Sequence, residues 1–259
     1  MPPSSPVRSL DPRQVPVGPP WGVVEVWPSL PSTNITCAHD PRPWRVVTAE
    51  EQTAGRGRLD RSWTTIPGSS LAVSVLLPHE ELAASGLPLG WVPLVAGVAV
   101  CRAVADTAGL ATALKWPNDV LVPCAGDRKL AGILCQWVSE GVVVGMGVNV
   151  NTPEAELPLE SATSVRAAGA GPVTREAVLG AYLNALAALV LGAAAAARTA
   201  YADLSATIGA EVEVTQGAGA AVRGRASGVD PDGRLIVETD KGALALAAGD
   251  VIHLRASRS

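Results

Sequence analysis

Four strand-like runs crowd into forty residues: "TALKW" (112–116), "DVLV" (119–122), "KLAGILCQWV" (129–138) and "GVVVGMGVNVN" (141–151). They are joined only by short turn-like pieces such as "PCAGDR" and "SEG", which leave no room for a helix between them. Two earlier β-branched runs, "WRVVTAE" (44–50) and "SLAVSVLLP" (70–78), are bounded by Pro and Gly and read as further strands, each expected to have one face well buried. From Trp91 to Ala108 apolar residues recur at helical spacing around Arg102 and Asp106, and Gly109 is placed as a C-terminal stop. The expectation is an α+β domain with a mixed sheet and a core helix.

Residues 152–172, rich in Pro, Gly, Ala and Glu, read as a long loop before a helix capped by Thr174 with Glu176 in its first turn. That helix is expected to bend near Gly192 and to run to about Ser205. After Ile208 the texture changes to short strands and turns ("AEVEVTQ", "VRGRASGV", "DPDG", "RLIVET"), the pattern of a small SH3-like β-barrel. Seven of the first twenty residues are proline, which reads as a mobile leader. The organisation read from the chain is therefore a disordered leader over 1–20, a catalytic domain over 21–207 and a small barrel over 208–259.

Charged residues make up 17% of the chain and apolar residues 48%, enough to bury a sizeable core. A net charge of −4 argues against a broad grip on nucleic acid, since that affinity comes from neutralising phosphates. Cys37, Cys101, Cys124 and Cys135 contain no CxxC pair, and His39, His79 and His253 lie far apart, so neither a zinc cage nor a disulfide framework is indicated. The Ala-rich run from Leu186 to Ala197 is too short to span a bilayer, and no signal sequence is evident. A cytoplasmic location without membrane attachment is the expectation.

Four stretches have residue types suited to chemistry. In "EEQTAGRGRLDRSW" (50–63), glycines let backbone N–H groups approach an anion, and Arg56 and Arg58 point the same way if the segment is extended. The same residues also suit a solvated turn. In "LKWPNDVLV" (114–122), Asn118 can pair with a purine edge and Asp119 can ligate Mg²⁺ on nucleotide phosphates, but Pro-Asn-Asp equally suits a plain turn. Lys129 opens an almost wholly apolar strand in which Gly132 leaves space against the backbone, and it is either a ligand contact or a polar strand end. In "GMGVNVN", Asn149 and Asn151 alternate with valines; neither a dinucleotide fingerprint nor a P-loop is present.

Taken in order, "STN" (32–34), "GRGRLDRSW" (55–63), "KWPND" (115–119), "KLAGIL" (129–134) and "GMGVN" (145–149) resemble the signatures of biotin protein ligases, and the resemblance covers roughly residues 21 to 255. It implies a catalytic domain similar in fold to class II aminoacyl-tRNA synthetases and lipoate ligases, followed by an SH3-like domain. The implied reaction uses ATP and Mg²⁺ to convert biotin to biotinyl-5′-AMP, then transfers biotin to a lysine of a biotin carboxyl carrier domain of an acetyl-CoA, acyl-CoA or pyruvate carboxylase.

By the same resemblance, Ser32, Thr33, Asn34 and Gln52 fall on biotin-binding positions, and Arg56, Gly57 and Arg58 on the loop that closes over the acyl-adenylate. Lys129, with Arg56 and Arg58, is catalytic. Asn118 and Asn149 fall on the adenylate side with Arg58, supported by Arg61, Trp63 and Lys115, and Asp119 falls near the metal. Asp60 stands where the family usually has Gly. The proline-rich leader in place of a DNA-binding domain implies no DNA partner, and the chain is expected as a monomer or weak homodimer. The alternatives are a lipoate or octanoate ligase or transferase of the same fold, and a non-catalytic biotin binder.

Overall fold

The computed structural model of the chain describes residues 8–59, 61–216 and 221–254. In chain order its elements begin with β1 (Val24–Leu30), α1 (Thr33–His39), β2 (Val46–Gln52), β3 (Ser70–Pro78), α2 (His79–Ser85) and α3 (Val92–Ala108). There follow β4 (Ala113–Lys115), β5 (Asp119–Val122), β6 (Arg128–Val138), β7 (Gly141–Asn149), α4 (Arg175–Val190) and α5 (Ala194–Leu204). The last strands are β8 (Glu211–Thr215), β9 (Val222–Val229), β10 (Leu235–Thr239), β11 (Gly242–Leu246) and β12 (Asp250–His253).

Among the described residues these strands build two sheets. Seven run in the order β1-β2-β3-β7-β6-β5-β4, with β1 parallel to β2 and the other neighbours antiparallel. The sheet is mixed, as expected. Five more, in the order β11-β10-β9-β8-β12, form the antiparallel SH3-like unit.

All nine residues of β3 are buried, and so are all nine of β7. The sequence reading expected one well-buried face; the central strands have two because the sheet is covered on both sides. On one side Val73, Val75, Leu77, Val142 and Val144 pack with the apolar residues of α3 and α4. On the other, Leu76 and Val143 join Val47, Ala49 and Cys37 of α1. Leu89–Ala108, the stretch long and apolar enough to cross a membrane, is two-thirds buried here against this core. Thr174 caps α4 by accepting from Ala177 N, and the expected bend falls between Val190 and Ala194.

The leader differs from expectation where it is described. Leu10 and Val15 are buried, Arg8 O accepts from Arg175 Nη2 at 2.7 Å, and Leu10 N donates to Glu50 Oε1 at 2.7 Å. Pro16 lies against Gly180, where a Cβ would come within 2.5 Å of its ring, and Pro16 O accepts from Asn184. Prolines lower the cost of ordering an extended segment because their φ is already fixed. Residues 8–20 thus strap across α4, with one short 3-10 turn at Pro12–Gln14 capped by Asp11, and residues 1–7 lie outside the described residues.

The helix α1 has three β-branched residues in seven and weak intrinsic helicity. Arg45 secures its C-terminal end, donating to Thr36 O (3.0 Å) and Asp40 O (2.8 Å), while Glu25 grips the same guanidinium through both oxygens at 2.8 Å. Such bonds satisfy carbonyls that a helix end leaves open.

Candidate active site

The side chains of β7 that face α1 start with Val143 and continue as Gly145, Gly147 and Asn149, so the sheet surface there is nearly bare. Gly132 on β6 pairs with Gly147 and extends the bare strip. Two side chains lie directly on it. A Cβ on Gly145 would fall 2.0 Å from Asn34 Oδ1, and one on Gly147 would fall 2.2 Å from the Trp63 indole. Above this strip opens a cleft of about 950 Å³, large for a small-molecule site. Every site residue read from the sequence lines it.

One end of the cleft is neutral. Ser32 precedes α1 without capping it through its hydroxyl. Thr33 N and Oγ1 both reach Gln52 Oε1 (2.8 and 3.1 Å), and Gln52 Nε2 donates to Thr65 Oγ1. Ser74 Oγ on β3 lies 2.7 Å from Thr33 Oγ1 and 2.6 Å from Asn34 Oδ1, while Asn34 Nδ2 donates to Leu134 O. Ser32, Thr33 and Asn34 are buried, and the polar groups of Thr33 and Asn34 are locked in a network that a ligand meets already ordered.

The other end is cationic. Lys129 leaves β6, folds back over Gly132 and forms an ion pair with Asp119 Oδ1 at 2.6 Å. Its ammonium is 5.8 Å from the Trp63 ring centroid, within cation–π range. Asn118 is held at three points: Nδ2 donates to Ile133 O, its own carbonyl accepts from Ile133 N, and Oδ1 accepts from Arg58 Nη1 at 3.1 Å. Burial lowers the Arg58 pKa from the ordinary arginine value, against the pull of the Asp250 and Asp119 carboxylates; the group remains a cation near neutrality. Lys115 pairs in register with Asp119. Asn149 is buried and gives Nδ2 to Thr163 O, which ties β7 to the 152–172 loop.

The arginine loop is not extended throughout. Arg56 bridges to Ser62, Gly57 N donates to Arg61 O, Arg61 N donates to Arg58 O, and Leu59 has φ of 52°. Arg58 therefore sits at a turn, where alternation no longer applies. It dips half-buried to Asn118 while Arg56 stays exposed. Asp60 lies outside the described residues. Trp63 Nε1 is buried against Gly147 and has no hydrogen-bond partner.

Sequence reasoning missed several contributors. Arg61 is joined to Asp250 of β12, an ion pair spanning 189 positions of chain. Gly249–Ile252 and residues of the 152–172 loop also line the cleft. The motif "GDVIHLR" was the available signal for Asp250; Ser74 and Thr65 had none, being single hydroxyls in ordinary strand and loop contexts. Among the described residues no cluster of three His, Cys, Asp or Glu side chains forms a metal cage.

Comparison with known proteins agrees with this geometry. Residues 29–152 match the Biotin/lipoate A/B protein ligase family, so fold and cleft define a protein ligase of the biotin and lipoate class. Residues 207–254 match the biotin protein ligase C-terminal domain. The chain is 33% identical over 216 residues to a biotin–acetyl-CoA-carboxylase ligase from Mycobacterium tuberculosis, spanning 81% of this chain and 79% of that one. It belongs to the biotin protein ligase family. A bifunctional ligase/repressor from Bacillus subtilis is 34% identical over 145 residues, 52% of this chain and 42% of its own length. The biotin protein ligase from Aquifex aeolicus, solved in complex with biotin and ATP, superposes with a TM-score of 0.72 at 25% identity, covering 90% of this chain and 99% of that one.

Proposed function

We infer that this chain is an ATP-dependent ligase that activates biotin as biotinyl-5′-AMP and transfers it to a lysine of a carboxylase's biotin carboxyl carrier domain. The observation that carries the reading is one bare glycine strip joining a neutral, pre-ordered hydrogen-bonding end to a cationic end. The neutral end, with Ser32, Thr33, Asn34 and Gln52, suits an uncharged cyclic urea. The cationic end, with Arg58, Lys115 and Lys129, suits a carboxylate meeting a phosphate. A related ligase of known structure holds biotin and ATP, and Trp63, packed on Gly147 between the two ends, lines the cleft here.

In the first step an oxygen of the biotin carboxylate attacks the α-phosphorus of ATP, the bond to the β-phosphate breaks, and pyrophosphate leaves. In the second, a carrier lysine amine attacks the acyl carbon, the acyl–phosphate bond breaks, AMP leaves, and the amine loses a proton. The protein need only hold two anions together and neutralise charge that grows in the transition state. Lys129, tethered by Asp119 and Trp63, is the cation we assign to that task. Arg56 and Arg58 enclose the adenylate and exclude water from the activated acid.

Mg²⁺ bound with the ATP phosphates would supply charge neutralisation on the leaving pyrophosphate. Asp119 is the carboxylate we assign to it, and the residues fit, because Mg²⁺ carried by phosphates needs only one or two protein carboxylates. We also place the reaction in the cytoplasm, consistent with four free cysteines. Acceptors extend in this reading to acyl-CoA and pyruvate carboxylases.

The test is direct. Purified protein with biotin, MgATP and a carrier domain should release pyrophosphate and add one biotinyl group to a single lysine, read by mass spectrometry. Equal turnover with lipoate or octanoate, or biotin binding without transfer, would remove the reading.

A further inference from the structure

Trp116, whose side chain is fully buried, gives both of its N–H groups to partners outside its own sheet. Its backbone N donates to Thr207 Oγ1 at 3.1 Å, at the start of the connection into the small sheet, and its indole Nε1 donates to Gly233 O at 3.2 Å. Gly233 ends the turn Asp230–Gly233 between β9 and β10. Trp91 grips the other end of the same turn, donating from Nε1 to Asp230 O at 3.0 Å.

The turn is rigid before it docks. Asp230 Oδ1 accepts from Asp232 N and Arg234 N, both at 2.9 Å, Oδ2 accepts from Arg234 Nε at 2.7 Å, and Gly233 N closes onto Asp230 O. It also fits one way only. A Cβ on Gly233, whose φ is +86°, would fall 2.5 Å from the Gly90 backbone, and one on Gly90 would fall 2.1 Å from Asp232 O. Arg198 clamps it from outside, stacked 5.6 Å from the Trp91 ring with Nη2 directed to Pro231 O at 3.4 Å.

We propose that this turn of the small sheet is a positioning element for the adenylation step, with Trp116 as its reader. Trp116 is followed by Pro117, whose ring restricts the backbone, and then by Asn118 and Asp119, which hold Arg58 and Lys129. A shift of the turn moves the indole, and with it the two residues that orient the cleft's cations. The neutral end is built on α1, β2 and β3 and meets this chain of contacts only at β6, where Asn34 Nδ2 reaches Leu134 O beside Ile133, the partner of Asn118. The inference rests on reading the cleft as an adenylating site.

The test compares the full-length parent, Trp116→Phe and Arg198→Ala in biotin-dependent pyrophosphate release, with KM measured separately for ATP and biotin and thermal unfolding as the control. Trp116→Phe keeps the bulk and removes the indole donor. It should lower kcat/KM for ATP about tenfold, the worth of one buried hydrogen bond, and leave KM for biotin within about twofold. A folded Trp116→Phe with parental ATP kinetics, or with equal losses for both substrates, overturns the proposal. If Trp116→Phe does not fold, Arg198→Ala decides, because Arg198 contacts the turn and not the cleft; an ATP-selective loss upholds the proposal and unchanged kinetics overturn it. A parent without biotin-dependent pyrophosphate release would instead sink the reading of the cleft, and this inference with it.

Discussion

Lys129 Nζ lies 2.6 Å from Asp119 Oδ1, with both side chains partly open to the cleft. In the reaction proposed above, substrate binding would exchange this carboxylate partner of the ammonium for a phosphate. A partly exposed pair of this kind contributes at most about 1 kcal/mol to folding.

Replacing Lys129 by Ala should therefore leave the unfolding midpoint nearly unchanged while lowering adenylation by about 100-fold or more, as expected when a preorganised group aimed at transition-state charge is lost. Pyrophosphate release with saturating biotin and MgATP measures this. Turnover near the parental rate would remove Lys129 from the mechanism.

Arg58→Ala removes the cation that Asn118 holds over the cleft. The expected result is retained adenylate synthesis with faster escape of biotinyl-5′-AMP, seen as free adenylate in a filtration assay and a lower ratio of biotinylated carrier to pyrophosphate. A ratio equal to that of the parent would show that the loop does not retain the intermediate.

The three glycines of the strip should differ in cost. Gly145→Ala drives a methyl into Asn34 and Gly147→Ala drives one into the Trp63 ring, whereas the nearest atom to a Cβ on Gly132 is the flexible end of Lys129 at 3.1 Å. We expect the first two to lose about 1–3 kcal/mol of stability through overpacking. Gly145→Ala should also raise KM for biotin more than KM for ATP. Gly132→Ala should be the mildest in a denaturant melt, and a larger loss there than at Gly147 would contradict the assigned packing.

Glu50 and Arg175 form a buried bidentate pair, with oxygen–nitrogen distances of 2.7 and 3.1 Å. Burial opposes the charge on Glu50, but bonds from Arg175, Leu10 N and Gly68 N outweigh it and its pKa is lowered. Removing one partner leaves a buried charge, so Glu50→Gln should cost about 3–5 kcal/mol in urea unfolding. The cost should fall as pH drops below the ordinary glutamate range, since the parent then loses the same pair. A pH-independent difference would argue against the pair.

Burial, with help from Lys115, lowers the pKa of His253 from its usual 6.5, against Asp127, and its Nε2 lies 3.1 Å from Thr207 Oγ1. The unfolded chain then binds a proton that the folded chain resists. Stability from this site is present above pH 6.5 and is lost as pH falls through the lower folded value. Melting curves from pH 7.5 to pH 5 should show a decline that His253→Gln reduces; parallel profiles would exclude the effect.

The strands β3, β6 and β7, the stop at Gly109, the Thr174 cap and the roles open to Lys129 were legible in the sequence because each depends on short-range rules. Alternation, helical spacing and capping act within a few residues. The glycines of "GMGVN" were also visible, but not what they make room for: Asn34 and Trp63 arrive from 111 and 84 positions away. Residues 8–20 looked mobile by composition, yet they are held by Arg175 and Glu50, which no local pattern links to them. In the same way α1 depends on Arg45, Arg61 on Asp250, and Trp116 on Gly233. The sequence by itself determined which residue types stand on which strands. Only the tertiary structure decided which distant groups meet, because those contacts form only when packing across the whole sheet offsets the entropy of closing long loops.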